Sequence, residues 1–344
     1  MNGKERIGAA VRGGKTGTRA FMPISMSLAA DEIGAAYRDY ETDWRVQVEG
    51  QLAFAAAFGA DHVSAISDPG VEASDLGAPL VMPRLEPASL DESRSLLAEK
   101  SALSRLRPPS PSGGPRMENR LAAVSGLKER AGGELLVEGW VEGPCAEAAD
   151  LRGLSRFMVD LFDDPGFATE LLDFVTEMEI TFARAQAAAG AGIIGVGDAA
   201  SSLIGPDLFG EFILERHRRY TAAIHQAGAL ARLHICGNSG SLLPMTKDLG
   251  YDVIDLDSMV DMARAREWAG PDQVFNGNLD PVRVVRNGSP ESIDAALGAC
   301  AAAAGSAWIV GAGCEIPRGT PRANILAMRD FSRRDFSRSD FARR

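Results

Sequence analysis

The second half of the sequence alternates short apolar runs with helical patterns, and this alternation constrains the fold more than any other feature. Five strand-then-helix units follow one another, each about 20 to 45 residues long. Such units form a parallel sheet whose strands are joined by crossover helices. The predicted strands cover residues 192–196, 229–233, 253–256, 273–275 and 307–310; the predicted helices cover residues 206–226, 239–249, 259–268 and 289–304, with a last one after residue 321.

Polar residues follow the carboxyl ends of these predicted strands: Asp198, His234, Asp257, Asn278 and Cys314. In a closed (β/α)8 barrel all strand ends surround one mouth, whereas an open doubly wound sheet spreads them along an edge. We therefore predict an α/β fold, a (β/α)8 TIM barrel. The barrel also predicts that Cys236 and Cys314, 78 positions apart, meet in space.

The first half is less regular. Strands are predicted at residues 21–24, 62–66 and 135–139, with an interrupted helical stretch at residues 31–58 and a loop rich in Pro, Ser and Gly at residues 107–115. We predict a single domain, with the barrel and its N-terminal helical additions at residues 1–330 and a charged C-terminal tail at residues 331–344.

Composition narrows the class of protein. Hydrophobic residues make up 45% of the 344 residues and charged residues 24%, which suits a folded core rather than disorder. The net charge of −11 disfavours nucleic acid as a partner. The N-terminus lacks the apolar segment of a secretory signal, and no run of about 18 apolar residues predicts a membrane span. Four Cys residues are too few for a disulfide framework, so reduced thiols and a cytoplasmic protein are expected.

The motif His-Ile-Cys at residues 234–236, with Cys314 much later, has the composition of a zinc site. An imidazole and a thiolate from one strand end, with a thiolate from a later one, supply three sides of a tetrahedron. Three protein ligands leave the fourth position open, as in catalytic zinc sites. The alternative is that these are unrelated buried residues, since a free Cys is often a small hydrophobe. The glycine-rich turns beside both Cys residues favour the metal site.

Zinc bound by one imidazole and two thiolates has no net formal charge, which suits activation of a thiol substrate. A bound thiol loses its proton at neutral pH, because the metal stabilises the anion. Two thiolate ligands lower the Lewis acidity of the zinc. The bound substrate sulfur therefore keeps enough electron density to act as a nucleophile. A hydrolytic zinc would usually carry more His or carboxylate ligands.

Four further residues are predicted to bind substrate. Glu142, Asp198 and Asn278 follow predicted strands on the mouth side, and Asn238 follows the His-Ile-Cys motif. The alternative for Asp198 and Asn278 is hydrogen bonding within their loops, because Asp and Asn are common turn residues.

The remaining Cys and His residues have structural interpretations. Cys145 and Cys300 are expected to pack in the interior, and His62 is expected to be structural. His217 and His225 are expected on the surface of one helix. No glycine-rich nucleotide-binding motif is present.

Four motifs resemble the uroporphyrinogen decarboxylase superfamily. They are Trp-Val-Glu-Gly-Pro at residues 140–144, His-Ile-Cys-Gly-Asn at 234–238, Asn-Gly-Asn-Leu-Asp-Pro at 276–281 and Gly-Cys-Glu-Ile-Pro at 313–317. The resemblance covers nearly the whole chain, more weakly before residue 130, and implies a (β/α)8 barrel.

Within that superfamily the chain resembles the corrinoid-dependent methyltransferase branch. True decarboxylases carry an arginine-rich N-terminal segment that grips porphyrinogen carboxylates, whereas residues 21–31 here contain no arginine. The resemblance implies that His234, Cys236 and Cys314 bind Zn²⁺ and act in catalysis. It also implies that methylcobalamin arrives on a separate corrinoid protein and that a small thiol such as coenzyme M accepts the methyl group.

Three alternatives stay open at this point. They are a decarboxylase acting on a tetrapyrrole, a corrinoid-linked demethylase working in the opposite direction, and a metal- or corrinoid-binding accessory protein without activity. The expected partners are a corrinoid protein and a small-molecule thiol, and a homodimer is a further candidate assembly.

Overall fold

The structure, a computed structural model, describes residues 1–14 and 17–336 and is built around a parallel β-sheet. Its strands are β1 (His62–Ser64), β2 (Leu80–Val81), β3 (Ser89–Leu90), β4 (Leu136–Glu142), β5 (Ile193–Gly197), β6 (Leu230–His234), β7 (Val253–Leu256), β8 (Val274–Gly277) and β9 (Trp308–Ile309). Within the described residues, β1 and β4 to β9 pair in parallel in chain order, and β2 pairs with β3 in a separate antiparallel ribbon.

The sheet is closed into a barrel by the N-terminal segment predicted as the first strand. Phe21 forms a parallel bridge with Val310, just after β9. Met22 donates its N–H to the Val310 carbonyl at 3.0 Å, and Val310 donates to the Ala20 carbonyl at 2.9 Å. On the other side, Asp61, just before β1, donates to the Phe21 carbonyl at 2.9 Å. This short segment takes the eighth position, so the prediction of a (β/α)8 barrel is confirmed.

The helices lie around this barrel and in its loops. They are α1 (Gly3–Val11), α2 (Met26–Glu32), α3 (Tyr37–Thr42), α4 (Trp44–Phe58), α5 (Val71–Asp75), α6 (Pro115–Ala131), α7 (Pro144–Arg152), α8 (Leu154–Asp163), α9 (Pro165–Ala189), α10 (Gly205–Leu208), α11 (Leu214–Gln226), α12 (Leu243–Thr246), α13 (Met262–Ala269), α14 (Pro290–Ala304) and α15 (Arg322–Ser332). In the described part of the chain, no helix combines the length and apolar character needed to cross a bilayer.

Local sequence signals explain where several helices begin. The Ser289 hydroxyl accepts the N–H of Ser292 at 3.3 Å, and the Ser292 hydroxyl accepts the N–H of Ser289 at 2.8 Å, which forms a capping box. Pro290 is the first residue of α14, as predicted. Asp261 caps α13 by accepting the N–H of Arg264 at 2.8 Å.

Two predicted helices have a different form. The helix predicted at residues 206–226 consists of α10, a π-helical segment at Phe209–Ile213, and α11. The one predicted at residues 239–249 contains only a 3₁₀ turn at Gly240–Leu242 and the four-residue α12. The leucines that gave this stretch its helical pattern are all buried, so irregular backbone satisfies the same packing.

The fold continues past the predicted boundary at residue 330. Helix α15 ends at Ser332, and Phe331 is buried in the core. Arg333 then donates to both carboxylate oxygens of Asp61 at 2.9 Å, which joins the end of the last helix to the start of β1. The rest of the predicted tail, residues 337–344, lies outside the described residues.

Candidate metal centre

Strand β6 and the turn after it bring His234 and Cys236 to the mouth of the barrel, where Cys314 joins them. The His234 Nε2 atom lies 2.9 Å from Cys236 Sγ and 3.7 Å from Cys314 Sγ. The two sulfur atoms are 3.6 Å apart, so the two cysteines meet as the barrel predicted. All three ligand atoms lie within 4.8 Å of one another.

Glycines next to both cysteines allow this approach. Gly237 has φ of 82°, a left-handed conformation that turns the chain directly after Cys236. A Cβ atom on Gly313 would stand 2.5 Å from the Ser258 backbone nitrogen, so only glycine lets the loop carrying Cys314 pass this close. The turn residues noted in the sequence are therefore part of the geometry of the centre.

The imidazole of His234 is oriented from behind by a carboxylate. Its Nδ1 atom lies 2.8 Å from Asp255 Oδ2, which leaves Nε2 to face the two thiols. A carboxylate in this position fixes the tautomer of a metal-binding histidine and raises its basicity. Burial would raise the pKa of Asp255, but Arg232 and His234 outweigh it and hold the pKa below its usual range. Asp255 is therefore ionised when it accepts from His234.

Beneath the histidine lies a buried ionic network, which we call the Arg232 network: Glu138 of β4, Arg232 of β6, Asp255 of β7 and Asn276 of β8. Arg232 donates from Nε and Nη2 to Asp255 at 2.7 to 3.1 Å and from Nη1 to Glu138 at 2.8 Å. Asn276 donates to Asp255 at 3.0 Å. This network is not among the predicted features, because its only signal in the sequence is an isolated charge within each of three apolar strands.

The three ligand residues shift one another's pKa. Burial lowers the pKa of His234, but Cys236 and the hydrogen bond to Asp255 raise it well above the usual range. The hydrogen bond from Cys236 lowers the pKa of Cys314 to about 4 against the effect of burial. The same hydrogen bond and burial raise the pKa of Cys236. The shift favours the thiolate form of Cys314, which is the form that binds metal. One nitrogen and two sulfur donors form a ligand set that suits tetrahedral zinc.

Asp198 lies on the mouth side but is fully buried, with both carboxylate oxygens engaged by the protein. It accepts from the Ala146 N–H at 2.7 Å and the Ser201 hydroxyl at 2.6 Å, and its Oδ2 lies 3.0 Å from His217 Nε2. The structure corrects the expectation that His217 lies on the surface. The imidazole is fully buried because Asp198 satisfies one ring nitrogen and the Tyr251 hydroxyl, at 2.7 Å, satisfies the other.

The other predicted substrate-binding residues are distributed around the mouth. Glu142 ends β4, is buried, and accepts from Trp140 Nε1 at 3.2 Å. Asn238 is exposed, two residues beyond Cys236. Asn278 is half-buried and donates to the carbonyl oxygens of Val260 at 2.7 Å and of Asp257 at 3.3 Å. Glu142 is the one whose side chain combines burial with a place in the wall of a cavity.

That cavity has a volume of about 420 Å³ and opens beside the candidate metal centre. Cys236 and Gly237 line it, together with Glu142 and residues of α7. Most of the lining is apolar, as expected for a small-molecule pocket. A substrate in this cavity would lie beside Cys236.

The chain is similar in sequence to a known protein family and to several known proteins. The sequence profile of the family described as uroporphyrinogen decarboxylase (URO-D) matches residues 2–334. The chain is 33% identical over 215 residues to a protein named methylcobamide:CoM methyltransferase from Methanosarcina mazei, covering 62% of each protein. It is 32% identical over 209 residues to the methylated-thiol–coenzyme M methyltransferase of the same organism, covering 60% of this chain and 55% of that one. The chain therefore spans less than two thirds of the length of these curated relatives.

A solved structure agrees with the fold. A methyltransferase from Methanosarcina mazei superposes with a TM-score of 0.86 over 96% of this chain and 98% of that one, at 23% sequence identity. At that identity the likeness concerns the fold, and it supports the closed barrel described above. Because the family profile spans nearly the whole described chain, the protein belongs to the uroporphyrinogen decarboxylase (URO-D) family.

Proposed function

We propose that this chain is a zinc-dependent methyltransferase that moves a methyl group from a methylcorrinoid protein to a small thiol. The observation that carries the proposal is the convergence of His234, Cys236 and Cys314 within 4.8 Å at the mouth, beside a cavity large enough for a small molecule. Its relatives named as methylcobamide:CoM and methylated-thiol methyltransferases support the reaction class.

Each residue has a defined role in this proposal. His234, Cys236 and Cys314 would hold zinc, which when bound lowers the pKa of a thiol at its open position. Asp255 fixes the imidazole so that Nε2 faces the metal position, and Arg232 keeps Asp255 ionised. In the reaction the thiol loses its proton to solvent, a sulfur–carbon bond forms, and the methyl–cobalt bond breaks with its electron pair left on cobalt.

The four predicted substrate-binding residues divide into two groups in this scheme. Glu142, Asn238 and Asn278 lie around the mouth, where they would contact or position the substrate. Asp198 would act indirectly, because both of its oxygens are used to hold the start of α7 and the loop after β5. Its contribution would be the shape of the cavity wall.

The corrinoid would arrive on a partner protein, and the mouth has a surface suited to one. Several large apolar side chains are exposed in the connections that follow barrel strands β1, β5, β7 and β8: Val81, Leu85, Leu203, Met259 and Val282. Loops that follow barrel strands surround the mouth, and exposed apolar side chains grouped there are typical of an interaction surface. The net charge of −11 disfavours nucleic acid, and two free thiols at the centre suit a reducing compartment such as the cytoplasm.

The decisive experiment measures zinc and methyl transfer together. Purified protein should contain about one zinc per chain by elemental analysis, and Cys314→Ser should lose it. Cys300→Ser is the matched control for zinc content, because Cys300 is not one of the three residues whose ligand atoms converge; its Sγ lies 3.5 Å from Asn278 Oδ1. The zinc-loaded protein should convert methylcobalamin in the presence of a small thiol, followed by absorbance. Absence of zinc after loading under reducing conditions would refute the proposal and favour the decarboxylase alternative.

The direction of methyl transfer is tested with the same protein and corrinoid. Incubation of a methylated thiol with reduced corrinoid would reveal a demethylase. Zinc binding without transfer in either direction would identify a metal-binding accessory protein.

A further inference from the structure

The cavity beside the candidate metal centre contains acidic side chains and no basic ones. Among its lining residues, Glu92, Glu142 and Asp150 carry carboxyl groups, and none is Lys, Arg or His. Glu92 is exposed at the rim, whereas Glu142 is buried. A substrate entering this cavity therefore meets carboxyl groups on its way to Cys236.

The arginines near this wall are already paired with protein groups. Arg120 lies 3.1 Å from Glu72 and also donates to the Trp140 and Asp68 carbonyl oxygens. Arg94, close to the rim, donates to Asp91 at 2.8 Å. Arg116 is paired with the carboxylate of Asp68. These side chains add no uncompensated positive charge to the cavity wall.

A helix N-terminus is another common anion-binding feature, and the N-terminus of α7 at this wall is occupied. The Ala146 N–H in the first turn of α7 donates to Asp198 at 2.7 Å, so a carboxylate of the protein already sits at the positive end of the helix dipole. A substrate anion would compete with this buried carboxylate.

Behind the wall lie more carboxyl groups, and we call the whole set the acidic cluster: Glu72, Glu142, Glu147, Asp150 and Glu179. Both oxygens of Glu147 and of Glu179 are buried without a hydrogen-bond partner among the described residues. Burial first, and then the neighbouring Glu72 and Asp150, raise the pKa of Glu142 well above its usual range. Protonated carboxyls accept a neutral ligand, and a cation would be stabilised by their ionisation.

We propose that the substrate reacting at this centre is a neutral or positively charged small molecule, whose non-reacting end lies against Glu142 and Asp150. The inference rests on the proposed function and adds the chemical class of the substrate. It separates this chain from an acceptor such as coenzyme M, whose sulfonate would bring a negative charge against carboxyl groups without a free cation to receive it.

The test uses three two-carbon thiols that differ only in their second functional group. Cysteamine is cationic, 2-mercaptoethanol is neutral and 2-mercaptoethanesulfonate is anionic. Binding of each to Co²⁺-substituted protein is followed by the visible absorption of the metal, and methylcobalamin consumption is followed with zinc-loaded protein. Rates are compared after correction for the ionised fraction of each free thiol.

The expected result is that cysteamine and 2-mercaptoethanol bind at least about 10-fold more tightly than the sulfonate, about 1.4 kcal/mol. In the double variant Glu142→Gln, Asp150→Asn, the affinities for cysteamine and for the sulfonate should differ by less than about 3-fold. Glu170→Gln, an exposed acid on α9, is the matched control and should change neither.

Equal or tighter binding of the sulfonate would overturn the inference while the methyltransferase proposal stands, because the thiol would still bind the metal. A double variant that keeps the full preference for cysteamine would also overturn it. If none of the three thiols perturbs the Co²⁺ spectrum, the proposed function itself is wrong and the inference falls with it.

Discussion

Two buried charged regions of this barrel, both near the mouth, are built in opposite ways. In the Arg232 network the carboxyl groups of Glu138 and Asp255 share one arginine, and Asp255 also accepts from His234. In the acidic cluster, Glu147 and Glu179 have no hydrogen-bond partner among the described residues. Paired carboxylates stay ionised and fix geometry, whereas unpaired buried carboxyls take up protons. The first region orients a candidate metal ligand, and the second would contact the charge of a substrate if the proposal above holds.

The largest effect is expected from removing a metal ligand. Cys314→Ser should lower zinc affinity by more than about 100-fold, because loss of a ligand exceeds the 10- to 100-fold typical for loss of a ligand's hydrogen-bond partner. The zinc affinity is measured by competition with a chromogenic chelator. Cys300→Ser should keep wild-type affinity, and a similar loss in both variants would contradict the assignment of the site.

Breaking the Arg232 network should strongly destabilise the fold. Arg232→Met leaves Asp255 and Glu138 without their cation, and such a change typically costs about 3–5 kcal/mol in free energy of unfolding. Urea denaturation measures it, and Arg232→Lys serves as a second variant that keeps the charge. The control is Arg218→Met, which removes an exposed pair with Glu215 and should cost less than about 1 kcal/mol. A loss below 1 kcal/mol for Arg232→Met would show that the network does not stabilise the barrel.

The contribution of Asp255, which orients His234, to zinc binding can be tested separately. Asp255→Asn should weaken zinc binding by about 10- to 100-fold, because the amide neither fixes the tautomer of His234 nor raises its basicity. The matched control is Asp252→Asn, which alters a second His–Asp pair whose Asp252 Oδ2 lies 2.9 Å from His225 Nε2 at the surface. Equal zinc affinities in the two variants would remove Asp255 from the mechanism.

The smallest expected effect concerns the acidic cluster and depends on pH. Burial, with the carboxyls of Glu72 and Glu147, raises the pKa of Glu179 well above its usual range. The unfolded chain therefore releases this proton at lower pH than the folded chain, so the stability contribution present at acid pH is lost as pH rises above about 4.3. Glu179→Gln removes this titrating group, so its free energy of unfolding should fall less with rising pH. The variant should therefore become progressively more stable than the wild type towards pH 8.

Urea titrations at a series of pH values test this sign. Glu177→Gln, an exposed residue on the same helix that pairs with Arg219, should follow the wild-type pH dependence. A Glu179→Gln variant that becomes less stable than wild type as pH rises would show that Glu179 is ionised in the folded protein.

The sequence predicted the barrel and the three candidate ligands because both depend on local patterns. Apolar runs of strand length, helix-capping residues such as Ser289 and glycines beside Cys236 are all visible within a few residues. The convergence of Cys236 and Cys314 followed from placing strand ends around one mouth.

The buried polar contacts could not be predicted from local sequence patterns. Arg232 and Glu138 are 94 positions apart, and each looks like a single charge in an apolar strand. His217 was expected on the surface because it stands among charged residues of α11. Its burial depends on Asp198 and Tyr251, which come from other elements of the fold. Only the packed barrel shows which charges have partners.

The way the barrel closes has a consequence for how the protein matures. Residues 20–22 leave the ribosome early, but their partner Val310 is among the last residues of the barrel to emerge. Cys314 follows Val310 by four residues. The nascent chain therefore holds all three candidate ligands only after the residues that close the barrel have been synthesised. Zinc occupancy would then mark chains in which the barrel has been synthesised through Cys314, and a premature stop before β9 would remove Val310, the partner of the closing segment, and the third candidate ligand together.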